Sequence, residues 1–161
     1  MTEERDLGVI ITSDLNCSSQ CKKAVNTANR VLGMIIRTFS VKDEKIILLL
    51  YKALVRPHLE YSVQAWRPHF RGDIDLLEGV QRRATKLITS ISNKSYEDRL
   101  HILNLTTLET RRLRGDLIEV FKIFNGFDNL DSSKFFELSN AHTRGHSLKL
   151  VKPRCHFSLG Y

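Results

Sequence analysis

The run Ile46 to Trp66, IILLLYKALVRPHLEYSVQAW, most limits what this chain can fold into. Its first half, Ile46 through Val55, is apolar on nearly every side. A helix without a polar face has to be wrapped by other elements. The apolar run is too short for a bilayer, which takes roughly 20 such residues. It therefore predicts the central helix of a helical domain, with no membrane partner. Pro57 lacks an N–H and disfavours helix in the residue before it, so a kink or break is expected there. Leu59, Val63 and Trp66 then recur at three and four, which predicts a second helical piece. Leu50 and Leu54 belong to the same expected core.

The flanking segments read as wrapping helices. A helix over about Ser18 to Phe39 would turn Cys21, Ala24, Val25, Ala28, Leu32, Ile35, Ile36 and Phe39 inward. Ser40 and Asp43 mark the start of the central helix. A helix over about Asp73 to Ile91 would bury Leu77 and Val80, with Glu78 and Arg82 as an i,i+4 pair in the favourable order. Ser95 with Asp98 starts a short helix, and Thr106 with Glu109 starts a long one. The long one would turn Leu113, Leu117, Val120, Phe121 and Phe124 inward and stop at Gly126. Leu7 to Ile11 reads as one short buried strand without a neighbour, expected to pair late in the chain or to be left over from a sheet lying elsewhere. The expected fold is mainly α, a helical bundle around a kinked central helix with one short N-terminal strand. The expected division is 1–15 for the strand, 16–127 for the helical domain and 128–161 for a poorly defined extension.

Lys and Arg number 25 against 18 Asp and Glu, a net charge of +7 over 161 residues. A basic balance suits a polyanionic partner. Three clusters carry it: Lys22, Lys23 and Arg30; Arg82, Arg83 and Lys86; Arg111, Arg112 and Arg114. Such charges bind phosphate backbones, and they also form ordinary solvated helix surfaces. The three cysteines, Cys17, Cys21 and Cys155, make an odd set that argues against a disulfide framework. The N-terminus has no signal-peptide pattern, so an intracellular address is expected. Cys17 and Cys21, His142 and His146, and Cys155-His156 do not have zinc-finger spacing, and no metal site is expected. Asp73 and Asp75 lie at a helix start, where acids are favoured by the dipole. No Gly-rich phosphate loop and no nucleophile elbow occur, so the residues point to no active site. Two Arg-Gly-Asp triplets, at Arg71 and Arg114, read as chance.

The segment LYKALVRPHLEYSVQAWRPHFRGDIDLLEGVQRRATKLI (Leu50–Ile88) is distinctive. Together with DLGVIITSDL (Asp6–Leu15), SYEDRLHILNLTTLETRRLRGDLIEVFKIFNG (Ser95–Gly126) and TRGHSLKLVKPR (Thr143–Arg154), it resembles the C-terminal part of the reverse transcriptase of non-LTR retrotransposons, in the jockey and CR1-like group. The likeness runs over nearly the whole chain, in order.

What the resemblance implies is a fragment of an RNA-directed DNA polymerase. LGVII is similar to a strand at the end of the palm, and the helices after it to the thumb and its extension. The family's aromatic-Ala-Asp-Asp turn, which binds two magnesium ions, has no match here, so the fragment alone is expected to be no enzyme and to hold no cofactor. The implied partners are an RNA–DNA or RNA template–primer duplex and the missing palm, and the implied place of action is the nucleus. The competing readings are a helical protein-interaction module and a non-functional translated remnant of a retrotransposon.

Overall fold

The computed structural model describes residues 3–139 and 149–151. The chain is mainly helical, with a small two-stranded antiparallel sheet. It divides into two compact units, Met1–Leu117 and Ile118–Tyr161. The division falls inside a helix, where the expected helical domain ran on to 127.

The N-terminal strand has a neighbour after all. β1 (Glu3–Asp6) pairs with β2 (Val9–Thr12), with Asp6 opposite Val9. Leu7 and Gly8 form the two-residue turn, both with positive φ (43° and 87°), as the tight hairpin turns matched to strand twist require. The expectation of an unpartnered strand over Leu7–Ile11 is therefore corrected. The acidic stretch before it supplies the partner, and Leu7 sits in the turn, 84 % exposed. Val9 and Thr12 face inward.

α1 (Ser18–Thr38) packs against α4 (Arg71–Lys86) and against the central helix. Its buried side is Cys21, Ala24, Val25, Ala28, Leu32 and Ile35. Ile36 and Phe39, expected inside, are exposed where the helix ends. Burial pushes the Cys21 thiol up to about 12.

The central helix starts at Asp43, whose side chain accepts the N–H groups of Lys45 (2.9 Å) and Ile46 (3.4 Å). It runs as α2 (Glu44–Leu50), one π-helical turn (Tyr51–Val55) and α3 (Arg56–Glu60). Pro57 is thus accommodated by a wide turn just before it rather than by a break. Such a turn absorbs one extra residue within a helix. Ile47, Tyr51, Val55 and Leu59 recur at every fourth position and are all nearly inaccessible. A turn widened in this way keeps a spacing of four on one side. Leu54 consequently faces out, 42 % exposed, which corrects its placement in the core, while Leu50 is half-buried and packs against the core. Helix ends at Glu60, so Val63 and Trp66 are not on a second helical piece. Ser62 takes a positive φ of 52°, Val63 is half-buried, and Trp66 is buried with its Nε1–H on the Tyr61 carbonyl at 2.8 Å.

α4 buries Leu77, Val80 and Ala84, and Ile88 and Ile91 follow into the core beyond it. α5 (Tyr96–Ile102) is capped by the Ser95 hydroxyl, which accepts the Asp98 N–H at 3.1 Å. α6 (Leu108–Phe124) begins one residue later than the Thr106 signal suggests. Thr107 accepts the Thr110 N–H at 3.1 Å, and Leu108 donates to Glu78 at 2.9 Å. The buried side of α6 is Leu108 and Arg112. Leu117 and Phe121 fall about 180° and 220° around the helix from Leu108, which explains why they are 62 % and 60 % exposed instead of inward. Leu113 is exposed for the same reason.

In the second unit, the helix ends at Gly126 (φ 68°), with Phe127 N–H on the Lys122 carbonyl at 3.0 Å and Gly126 N–H on that of Ile123 at 3.4 Å. This is a Schellman end, in which glycine takes the left-handed position. Phe124 and Phe136 are 5.2 Å apart, and Leu138 bridges Leu150. No helix among the described residues is long and apolar enough to cross a membrane.

Candidate nucleic-acid interface

The charged residues of α1 are all cations. Its 21 residues include no Asp or Glu, while Lys22, Lys23, Arg30 and Arg37 all lie away from the buried side. With a rise of 1.5 Å per residue, Lys22 to Arg37 spans about 22 Å. Asn26 and Gly33 fill the gaps between them. A Cβ on Gly33 would lie 3.6 Å from the Arg37 guanidinium, so that side chain folds back along the same face. Arg37 was not among the expected contacts. Its position, seven residues after Arg30, was the available signal.

Arg83 joins this face from α4, donating to Asn29 Oδ1 at 2.8 Å. Arg82 leaves the expected pair with Glu78 and lies over the Tyr96 ring, 5.0 Å from its centre. Lys86 is exposed near the end of α4. Among the described residues, Lys22, Arg30, Arg37, Arg82, Arg83, Lys86 and Arg114 have no carboxylate at ion-pair distance. Unpaired surface cations keep their charge available to a polyanion.

Three expected contacts are engaged elsewhere. Lys23 is half-buried, and its ammonium donates to the Gly8 carbonyl at 2.5 Å. Burial and then the neighbouring Arg5 push its pKa below the ordinary lysine value. Arg111 is held by both carboxylate oxygens of Glu60, one of them at 3.1 Å, and this hydrogen bonding raises its pKa. Arg112 is buried, with its guanidinium 4.1 Å from the centre of the Trp66 ring and its nitrogens donating to the Leu59 and Trp66 carbonyls. Burial lowers its pKa. The cluster expected at Arg111, Arg112 and Arg114 therefore reduces to Arg114 on the surface. An arginine at i+4 from the buried Leu108 shares its side of the helix, which is why Arg112 turns in.

Beneath the surface a polar network ties four segments together. Tyr51 donates to Gln81 Oε1 at 2.7 Å, and the two hydrogens of Gln81 Nε2 are shared among Tyr96 Oη (2.9 Å), the Thr106 carbonyl (3.0 Å) and Glu78 (3.2 Å). Tyr96 in turn donates to Glu78. Burial raises the pKa of both tyrosines. Every member has a partner, which makes the network a positioning device for α4, α5 and α6.

Among the described residues, no three His, Cys, Asp or Glu come together to hold a metal ion. Asp73 instead accepts the Ser18 hydroxyl at 2.5 Å, and Asp75 meets Arg71 at 3.5 Å. His142, His146, Cys155 and His156 lie outside the described residues.

No protein-family model matches the chain, and no solved structure matches it. The chain is similar to the uncharacterized protein B0403.1 of Caenorhabditis elegans, at 25 % identity over 124 residues. The likeness covers 75 % of this chain and 63 % of that protein, so the chain spans less than two thirds of its relative.

Proposed function

We propose that this chain is the thumb-like part of a non-LTR reverse transcriptase and grips a template–primer duplex by its sugar-phosphate backbone. The observation that carries the reading is the cationic face of α1, a helix with no acidic residue of its own, extended by Arg83 across Asn29. Rigid helices bearing unpaired cations suit backbone contact, which positions a duplex without reading its sequence. Recognition of an RNA–DNA hybrid would rest on shape in the same way. The resemblance of Leu50–Ile88 and its flanking segments supplies the polymerase context. On this reading the chain itself carries no catalysis, and the DNA synthesis of a parent enzyme, with its magnesium ions, belongs to the palm.

The test is binding of the purified chain to an RNA–DNA hybrid by fluorescence anisotropy across a salt series. Binding that weakens linearly in the logarithm of salt supports the reading. Absence of binding at low salt overturns it, and DNA synthesis by the chain alone overturns its inertness.

A second reading, a helical protein-interaction module, is favoured by the exposed apolar side chains Val41, Ile46, Leu49 and Leu54. Exposed apolar patches recruit partners. Self-association that ignores salt and added duplex would favour it.

A further inference from the structure

A cleft of about 390 Å³ opens between α4 and the first turns of α6, beside the loop after Trp66. Pro68, Ile74, Leu77 and Leu108 give it an apolar wall. Arg112 also lines it. That side chain is only 6 % exposed, and its Nε–H, buried, has no acceptor. Each terminal nitrogen donates one N–H, to the Leu59 and Trp66 carbonyls. No carboxylate pairs with Arg112 among the described residues. A buried cation without a counter-ion, and with an N–H left over, favours an anionic acceptor.

We propose that this cleft binds a compact organic monocarboxylate, one oxygen accepting the Arg112 Nε–H and the apolar body resting on Ile74, Leu77 and Leu108. The volume falls in the range of small-molecule sites, roughly 300–1,000 Å³. The lining selects a monocarboxylate over a phosphate group: the Glu78 and Glu109 carboxylates share it and oppose a dianion, while its second arginine, Arg67, is paired with Asp116 at 3.4 Å. The Glu78 oxygens are already engaged by Leu108, Gln81 and Tyr96. This site does not involve the cationic face of α1 and stands whether or not the chain binds a duplex.

The experiment titrates benzoate into the full chain, followed by the arginine side-chain ¹H–¹⁵N resonances and by calorimetry. One Nε–H resonance is expected to shift saturably, and to be the one lost in Arg112→Lys. That variant keeps the charge, loses the Nε–H, and is expected to bind about tenfold or more weakly, as loss of a charge-assisted hydrogen bond implies. Arg112 also supports Trp66, so Ile74→Trp provides the second arm. It fills the cleft, leaves Arg112 in place, and is expected to abolish binding with unchanged circular dichroism. Shifts that do not saturate, binding that survives Ile74→Trp, or inorganic phosphate binding as tightly as benzoate would each overturn the proposal.

Discussion

The Glu78 carboxylate accepts the Leu108 N–H at 2.9 Å, so a side chain from α4 caps the first turn of α6 from thirty positions away in sequence. The same carboxylate takes hydrogen bonds from Gln81 and Tyr96. Replacing Glu78 by Ala leaves the buried Leu108 N–H and the Tyr96 hydroxyl without an acceptor, while Gln81 keeps Tyr96 and the Thr106 carbonyl, and is expected to cost about 3 kcal/mol. Urea unfolding of Glu78→Ala beside the parent checks this. A change below about 1 kcal/mol would mean that water replaces the carboxylate there.

Trp66 supports the loop that leads into α4. It is buried, bonded to the Tyr61 carbonyl and covered by the Arg112 guanidinium. Trp66→Ala is expected to destabilise by about 3–5 kcal/mol, through lost burial and the cavity left behind. The fall in melting temperature followed by circular dichroism measures it, since the chain has one tryptophan and loses its fluorescence probe in this variant.

Alkaline pH should unfold the chain early. Cys21 is raised from 9.0 to about 12 in the folded state, so the unfolded thiol loses its proton first as pH rises. Stability is therefore full below pH 9 and falls between about 9 and 12, where the unfolded state binds fewer protons. Tyr51 and Tyr96, also raised, add to the fall from pH 10 upward. Cys21→Ala should remove the part of the slope that begins near 9. An alkaline limb identical in both proteins would place the proton loss on the tyrosines alone.

Salt dependence separates surface cations from structural ones. Lys22→Ala with Arg30→Ala, and Arg82→Ala with Arg83→Ala, should each flatten the slope of hybrid binding against log salt by roughly one to two units. Glu60→Gln, which loosens Arg111 from its carboxylate, should leave the slope within about one unit of the parent, since the arginine is freed rather than lost. Equal slopes in all these proteins would remove the α1 face from the interface.

Leu7 is a strained choice for its place. A leucine at φ 43° in a two-residue turn costs energy that asparagine largely avoids. Leu7→Asn is expected to stabilise the chain by about 0.5–1 kcal/mol. The bond from the Tyr61 hydroxyl to the Leu7 carbonyl, 3.0 Å, uses the backbone and survives the change. A lower midpoint in urea would show that the exposed leucine is held by something other than its turn.

Patterns of apolar residues told where α1 and α4 would bury themselves, because each helix is covered along one side for most of its length, α1 by α4 and the central helix together. Ala24, Ala28, Leu32 and Ile35, and likewise Leu77 and Val80, repeat at helical spacing and lie inside. The same rule failed for Leu117 and Phe121. α6 buries only its first turns, and it does so through Leu108 and an arginine. Nothing local marks Arg112 as inward beyond its distance from Leu108, and nothing local tells Glu78 to leave Arg82 for Leu108. Those choices depend on partners brought in by the fold. The cationic face of α1 was partly legible, since Lys22, Lys23 and Arg30 share a side. The absence of acids along the whole helix, and the arrival of Arg83 from α4, gave it its extent.

The π-helical turn at Tyr51–Val55 makes the central helix tolerant of a length change in one direction. The turn holds one residue more than ordinary winding needs, so removing the exposed Ala53 or Leu54 would restore α-helix and keep the phase of the chain after it. Leu59 would stay inside, and the loop carrying Trp66 would leave from the same side. A deletion in the regularly wound part, at 44–50, has no such excess to draw on and turns everything after it by about 100°. Single-codon deletions should therefore be far better tolerated at Ala53 and Leu54 than at 44–50.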